Sequence, residues 1–298
     1  MSATDVAELR GRLVNGLIPA VPVPFRGNSV HTEALQGYAR WMATQPIAGV
    51  AVGVHTGRGR HLDPDTRRQV LSTWRAALPR HVIVAGAWDD ASAGEARELG
   101  ADALLVFAAA RDALGHHEQL SRILPAIAFY LYEAAGGVAY GDDTLHAILS
   151  LPRVLGIKVA TLDSVMTFQR IATLMRRHPN KLLITGEDRF LGYSLLLGAQ
   201  AALIGMGAAL TDIQAALLSA NVRSDWSRFV ELSATCDRLG EATFRAPMEG
   251  YIRRMLWAAA ADGVLPDDAC DDPWGPELPT SERDLVRQAV RDARAARN

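Results

Sequence analysis

Eight short apolar runs, each followed by a polar break and an amphipathic segment, constrain the fold of this 298-residue chain more than any other feature. They cover Leu17 to Val23, Gly49 to Val54, Val82 to Ala87, Ala103 to Phe107, Ile127 to Tyr132, Val154 to Val159, Leu182 to Thr185, and Ala201 to Ile204. Between them lie segments of helical period: His31 to Thr44, Asp65 to Ala77, Ala91 to Leu99, His117 to Ile127, Asp142 to Leu149, Asp163 to Arg177 and Phe190 to Leu197. Several open on Asp, Ser or Thr, the usual N-cap residues. Strand and helix in strict alternation make βα units with parallel strands. Eight such units over about 200 residues match a (β/α)8 (TIM) barrel, whereas a doubly wound sheet more often has fewer strands. After Leu210 the strand signal stops, and Asp225 to Leu239, Pro247 to Asp262 and Ser281 to Ala296 read as appended helices. The expected organisation is a barrel over 1–221 and a C-terminal helical extension over 222–298. Gly263 to Pro279, rich in Pro and Asp, reads as a surface connection, with Asp267-Asp268 and Asp271-Asp272 as a solvated acidic turn rather than a metal site.

Composition narrows the class of partner. A net charge of −2 gives no basic face for nucleic acid or an anionic membrane. No apolar run approaches a membrane span, and Met1 to Gly16 lacks an apolar signal core, so a cytoplasmic protein is expected. The two cysteines, Cys236 and Cys270, are far from CxxC spacing and fit free thiols. No Cys/His metal cluster is visible, and neither a metal nor an organic cofactor is expected.

Of the 31 basic residues only Lys158 and Lys181 are lysines. Arginine serves wherever charge alone is needed. Lys158 lies in the apolar run Val154-Leu155-Gly156-Ile157-Lys158-Val159-Ala160, a candidate buried parallel strand. A guanidinium keeps its proton, whereas an amine buried among apolar groups can lose it and become a nucleophile toward carbonyls. Lys158 is therefore a candidate Schiff-base residue, against the alternative of a strand-end lysine snorkelling to solvent. Lys181, next to His178-Pro179-Asn180, reads as an exposed structural lysine.

In a barrel the C-terminal strand ends converge on one mouth. Here they carry His55-Thr56-Gly57-Arg58-Gly59, Tyr132-Glu133, Lys158 and Gly186-Glu187-Asp188-Arg189. In that order these ends resemble the dihydrodipicolinate synthase and N-acetylneuraminate lyase family, and the likeness spans nearly the whole chain. Gly16 through Phe25 looks like the family's opening strand, and Gly27-Asn28-Ser29-Val30-His31 like the turn into its first helix. Val54-His55-Thr56-Gly57-Arg58 lies where the family has Gly-Thr/Ser-Thr-Gly-Glu, Leu131-Tyr132-Glu133 on its Leu-Tyr-Asn, and Gly156-Ile157-Lys158 on its Gly-Ile-Lys. Pro247-Met248-Glu249-Gly250-Tyr251 and Gly263-Val264-Leu265-Pro266 look like its C-terminal helices. The resemblance implies a (β/α)8 barrel, a dimer or tetramer of identical chains, and a class I lyase acting on a 2-oxo acid. Lys158 would form the iminium, Tyr132 would shuttle protons, and Thr56 with nearby backbone N–H groups would hold the substrate carboxylate. Gly57, Gly186, Asp188 and Gly205 fall among the substrate-binding positions.

The departures are informative. His55 stands where the family has a Thr or Ser relay, and imidazole could take that role. Arg58 replaces an acidic residue. With Arg60, Arg111 and Arg189 it could form a cationic mouth, or pair with Glu133, Glu187 or Asp188. Ala108-Ala109-Ala110 has no aromatic relay, and Glu133-Ala134-Ala135-Gly136-Gly137-Val138 has no arginine, where the synthase branch has both. A substrate other than that branch's is expected, with Trp88 narrowing the mouth. Two alternatives stand beside the lyase: a phosphate-binding barrel, for which Gly205-Met206-Gly207 is a weak signal, and a silent barrel that binds a 2-oxo or sugar acid.

Overall fold

The computed structural model describes residues 6–133, 136–162 and 164–296. Asp163, Ala134-Ala135 and the first five residues of Met1 to Gly16 lie outside the described residues. The strands in order are β1 (Leu17–Pro19), β2 (Phe25–Arg26), β3 (Ser29–Val30), β4 (Gly49–Val52), β5 (Val82–Ala87), β6 (Ala103–Val106), β7 (Ala126–Leu131), β8 (Val154–Ala160), β9 (Leu182–Thr185) and β10 (Ala201–Ile204). The helices are α1 (Val6–Leu13), α2 (Thr32–Met42), α3 (Pro64–Ala77), α4 (Asp90–Glu98), α5 (Ala113–Ile123), α6 (Asp142–Ser150), α7 (Val165–Met175), α8 (Leu191–Leu196), α9 (Thr211–Val222), α10 (Trp226–Thr243), α11 (Tyr251–Ala261) and α12 (Thr280–Ala295).

Eight strands form one all-parallel sheet in the order β1-β10-β9-β8-β7-β6-β5-β4. A parallel bridge from Ala20 to Ala51 closes the ends, giving the (β/α)8 barrel. The first run yields only three strand residues because its remainder is a Pro-interrupted exit, which leads into the short antiparallel β2–β3 hairpin. β4 stops at Val52 because Gly53 turns the chain with φ +62°.

Strand alternation builds two apolar layers. Ile18, Val84, Leu105, Phe129, Ile184 and Leu203 fill the barrel, while Val52, Ile83, Val106, Ile157 and Val159 face the helices. Helix α1, which the sequence reading leaves unassigned, inserts fully buried Leu9 and Leu13 into the interior layer. Helix α9 was also not anticipated; 221 falls inside it. The C-terminal helices share the outer core with the barrel helices through Leu239, Met255 and Val286.

The segment after α11 departs from the expected surface connection. Leu265, Ala269 and Cys270 are buried, Asp271 bridges Phe25, and Trp274 packs edge-on against the Phe25 ring. Asp267 and Asp268 do form exposed ion pairs with arginines, but Asp272 is only 2% exposed. A solvated turn cannot describe a carboxylate that deeply buried. Lys181 is likewise only half-buried, its Nζ donating to the Leu151 and Val154 carbonyls. Among the described residues no helix is long and apolar enough to cross a membrane.

Candidate active site

Lys158 sits in β8 opposite Phe129 of β7 and Ile184 of β9. Alternation aims its side chain inward, so Nζ lies 4.4 Å from the centre of the Phe129 ring and the residue is 6% exposed. Burial lowers the amine to about 8, opposed by the negative charge of Asp188 and then Glu187. Asp188 is pushed the other way: burial raises its carboxyl, against a backbone bond from Met206 N–H (2.6 Å) and the attraction of Lys158. Burial thus favours a neutral amine beside a protonated carboxyl, a state in which the amine is nucleophilic. Glu187, fully buried, accepts from the backbone of Thr161 (2.7 Å) and Leu162 (2.8 Å) and ties the loop after β9 to the end of β8.

Gly186 makes room for the lysine. A Cβ there would stand 2.5 Å from Lys158 Cε and 2.9 Å from the Val159 carbonyl. Gly186→Ala is expected to displace the amine, cost about 1–3 kcal/mol of stability, and slow any reaction of Lys158. Chemical denaturation and the rate of amine modification, measured on the same samples, check both effects.

The turn after β4 is packed backbone against backbone. A Cβ at Gly59 would lie 1.8 Å from the Gly53 carbonyl oxygen. This compression delivers His55 and Thr56 to the Lys158 pocket, while Arg58 (φ +53°) lines the outer cavity beside it. Gly57 packs on the Val21 carbonyl, and Arg58 is 6% exposed. The Arg58 guanidinium grips Asp272 through two bonds (3.1 and 2.7 Å) and donates to Glu249 at 3.1 Å. Its partners are therefore acids of the C-terminal segment, not Glu133, Glu187 or Asp188. Arg189 donates to the Phe244 carbonyl, Arg60 stacks on Phe107, and Arg111 is exposed. These arginines do not converge on Lys158. Trp88 packs edge-on against Phe107.

One pocket takes in Lys158, Tyr132, His55, Thr56, Gly186, Asp188 and Gly205, bringing together every expected site residue except Gly57 and Arg58. Phe244 and Tyr251 also line it. An outer cavity of about 500 Å³ adjoins His55, and Arg58, Arg60, His61, Phe107, Glu249 and Trp274 line it, so two of the four expected arginines do stand at the mouth.

Glu249, in the one-turn 3-10 helix Met248–Gly250, and Tyr251, at the start of α11, complete the site; sequence reasoning missed both. Tyr132 Oη donates to Glu249 Oε1 at 2.7 Å, and His55 Nε2 lies 3.4 Å from Glu249 Oε2. His55 Nδ1 is 3.1 Å from Tyr251 Oη, which is 2.9 Å from Thr56 Oγ1. A carboxylate only accepts, so Nε2–H must face Glu249. In the neutral imidazole Nδ1 then accepts from Tyr251, leaving the Tyr251 oxygen as an acceptor for Thr56. Burial would raise the Glu249 carboxyl, but the His55, Tyr132 and Arg58 donors together hold it down to about 2. Tyr132 is raised far above its usual value by burial, then by the nearby charges of Tyr251 and Glu249, and so stays protonated. Glu249 lies 117 residues from Tyr132. Its only signal was an acid beside a Pro-Met-Glu-Gly turn, and no local pattern links such a turn to a strand end.

Among the described residues no group of three or more His, Cys, Asp or Glu side chains is placed to hold a metal. No protein-family model matches the chain. It is 26% identical over 164 residues to 4-hydroxy-tetrahydrodipicolinate synthase of Jannaschia sp., covering 51% of this chain and 57% of that one. It is 22% identical over 234 residues to an uncharacterized DapA-like lyase of Pyrococcus abyssi, covering 74% and 79%. The chain thus spans little more than half the length of the first relative. The solved structure of Ruminococcus gnavus sialic acid aldolase superposes with a TM-score of 0.84 over 96% of this chain and 98% of that one, at 16% identity. With the barrel, the lysine on β8 and the tyrosine after β7 in place, the chain is similar, at low identity, to the dihydrodipicolinate synthases and DapA-like lyases in sequence and to a sialic acid aldolase in fold.

Proposed function

We propose that the protein is a lyase that forms a Schiff base between Lys158 and the ketone of a 2-oxo acid, and then makes or breaks a bond beside the iminium carbon. The observation that carries this reading is the Lys158 amine itself: buried, lowered to about 8, and aimed into a pocket shared with Tyr132 and Thr56. The amine adds to C2 of the ketone, loss of water leaves the iminium, and the cationic nitrogen withdraws electrons from C3. Tyr132 handles protons at that carbon and at the departing oxygen. The backbone N–H groups of the turn at Thr56 hold the substrate carboxylate. The relatives named as a synthase and a lyase and the neighbour named as an aldolase support a carbon–carbon or carbon–oxygen lyase rather than a phosphate-binding barrel.

The nucleophile is the unprotonated amine, so the rate of trapped-adduct formation with pyruvate should rise with pH and level off above about 8. Intact-mass quantification of borohydride-reduced adduct across a pH series checks this. A rise that levels only near the ordinary lysine value of about 10.4 would show that the reacting amine is not buried Lys158.

A further inference from the structure

Glu249 is the acidic group in contact with the Tyr132 hydroxyl, and the family resemblance does not explain it. It comes from the C-terminal segment, yet its two oxygens divide between the two sides of the site. Oε1 takes the Tyr132 hydrogen at 2.7 Å, while Oε2 faces His55 Nε2 at 3.4 Å and the Arg58 guanidinium at 3.1 Å. Arg58 is in turn fixed by two bonds to buried Asp272. A hydroxyl whose hydrogen is committed to a carboxylate can offer only its lone pairs to anything else. We propose that Glu249 is a positioning residue that holds the Tyr132 hydrogen, turns the Oη lone pairs toward the substrate, and takes the phenolic proton when Oη receives one.

This inference rests on the iminium reading and gives its proton a path. With pyruvate bound as the Lys158 iminium, a C3–H bond breaks and its electron pair forms C2=C3. The C=N π pair returns to nitrogen, giving the neutral enamine. The C3 proton passes to Tyr132 Oη as the Tyr132 proton crosses to Glu249 Oε1, and reversal returns a proton to C3. No buried phenolate forms at any stage, consistent with burial raising the Tyr132 hydroxyl. The carboxylate starts ionised because Arg58 and His55 hold it so.

Glu249→Gln reverses this polarity with almost no change of shape. The amide oxygen must face the His55 and Arg58 donors, so the amide NH2 faces Tyr132 Oη and donates to it. The tyrosine hydrogen then points into the pocket. The experiment uses pyruvate as the probe with two readouts: borohydride-trapped adduct by intact mass, and exchange of the pyruvate methyl protons in D2O by NMR. Glu249→Gln should still form trapped adduct, more slowly than the native chain, and should exchange methyl protons at least about 100-fold more slowly. Glu249→Asp, which keeps the charge, should recover part of the exchange and guards against a variant that misfolds. Adduct with equal exchange in native and Gln forms, or no exchange in the native chain, would overturn the role of Glu249 alone. No adduct in the native chain would overturn the iminium reading and this inference with it.

Discussion

Replacing Lys158 by methionine is expected to abolish turnover while leaving the fold at least as stable. Loss of a covalent nucleophile should reduce the rate by at least about four orders of magnitude, since the remaining groups then have no iminium to act on. The stability half comes from burial. Lys158 is 6% exposed against Phe129, and its amine is lowered to about 8 on folding. A lysine whose pKa falls on folding binds more protons in the unfolded chain, so its contribution to stability rises with pH from about 8 toward the unfolded value of about 10.4 and is a penalty below that window. Methionine fills much of the same volume with no charge to desolvate. Urea titrations should show the native chain gaining stability between pH 8 and 10 relative to the Met variant. Residual turnover above about 1% of native would show that another group does the chemistry.

The largest stability loss is expected at Arg254, far from any substrate. Its side chain is fully buried on α11 and donates to Glu282 at 2.6 Å and to the carbonyls of Arg245 (2.7 Å), Pro247 (3.1 Å) and Ala246 (3.2 Å). One guanidinium thus ties α12 to the segment that leads into Glu249 and Tyr251. Arg254→Met strands Glu282 and those carbonyls without donors, which should cost about 3–5 kcal/mol. Denaturant unfolding measures the loss directly. Because the 245–251 segment loses its anchor, proton exchange at pyruvate should fall as well, even in conditions where the variant remains folded. A loss under about 1 kcal/mol would mean that the pair behaves like an exposed one.

What the sequence revealed and what it hid divide along physical lines. Barrel strands are continuous apolar runs because both faces are buried, so β5, β9 and β10 were legible to the residue. Lys158 stood out because a lone amine in such a run is costly to bury. Tyr132, His55 and Thr56 could be placed at the mouth because strand ends in a barrel have a fixed destination. Arg58 was harder. Its sequence neighbours placed it at the mouth, where it lines the outer cavity, but the carboxylates that pair it, Asp272 and Glu249, lie 214 and 191 residues away. The Asp pairs of the C-terminal connection looked solvated for the same reason: the partner that buries Asp272 is distant in sequence. Helix α1 is short and carries three charged residues in eight, and only its contact with the barrel interior explains why Leu9 and Leu13 are buried. In each case the missing information was a long-range pairing, which local periodicity does not carry.

The most direct test of the account is the mass of the intact chain after borohydride treatment with pyruvate, run in parallel on Lys158→Arg. The account predicts one reduced pyruvate adduct per native chain and none on the arginine variant, since a guanidinium remains protonated and does not add to a ketone. A native chain that gains no mass, or an adduct that persists in the arginine variant, would contradict it.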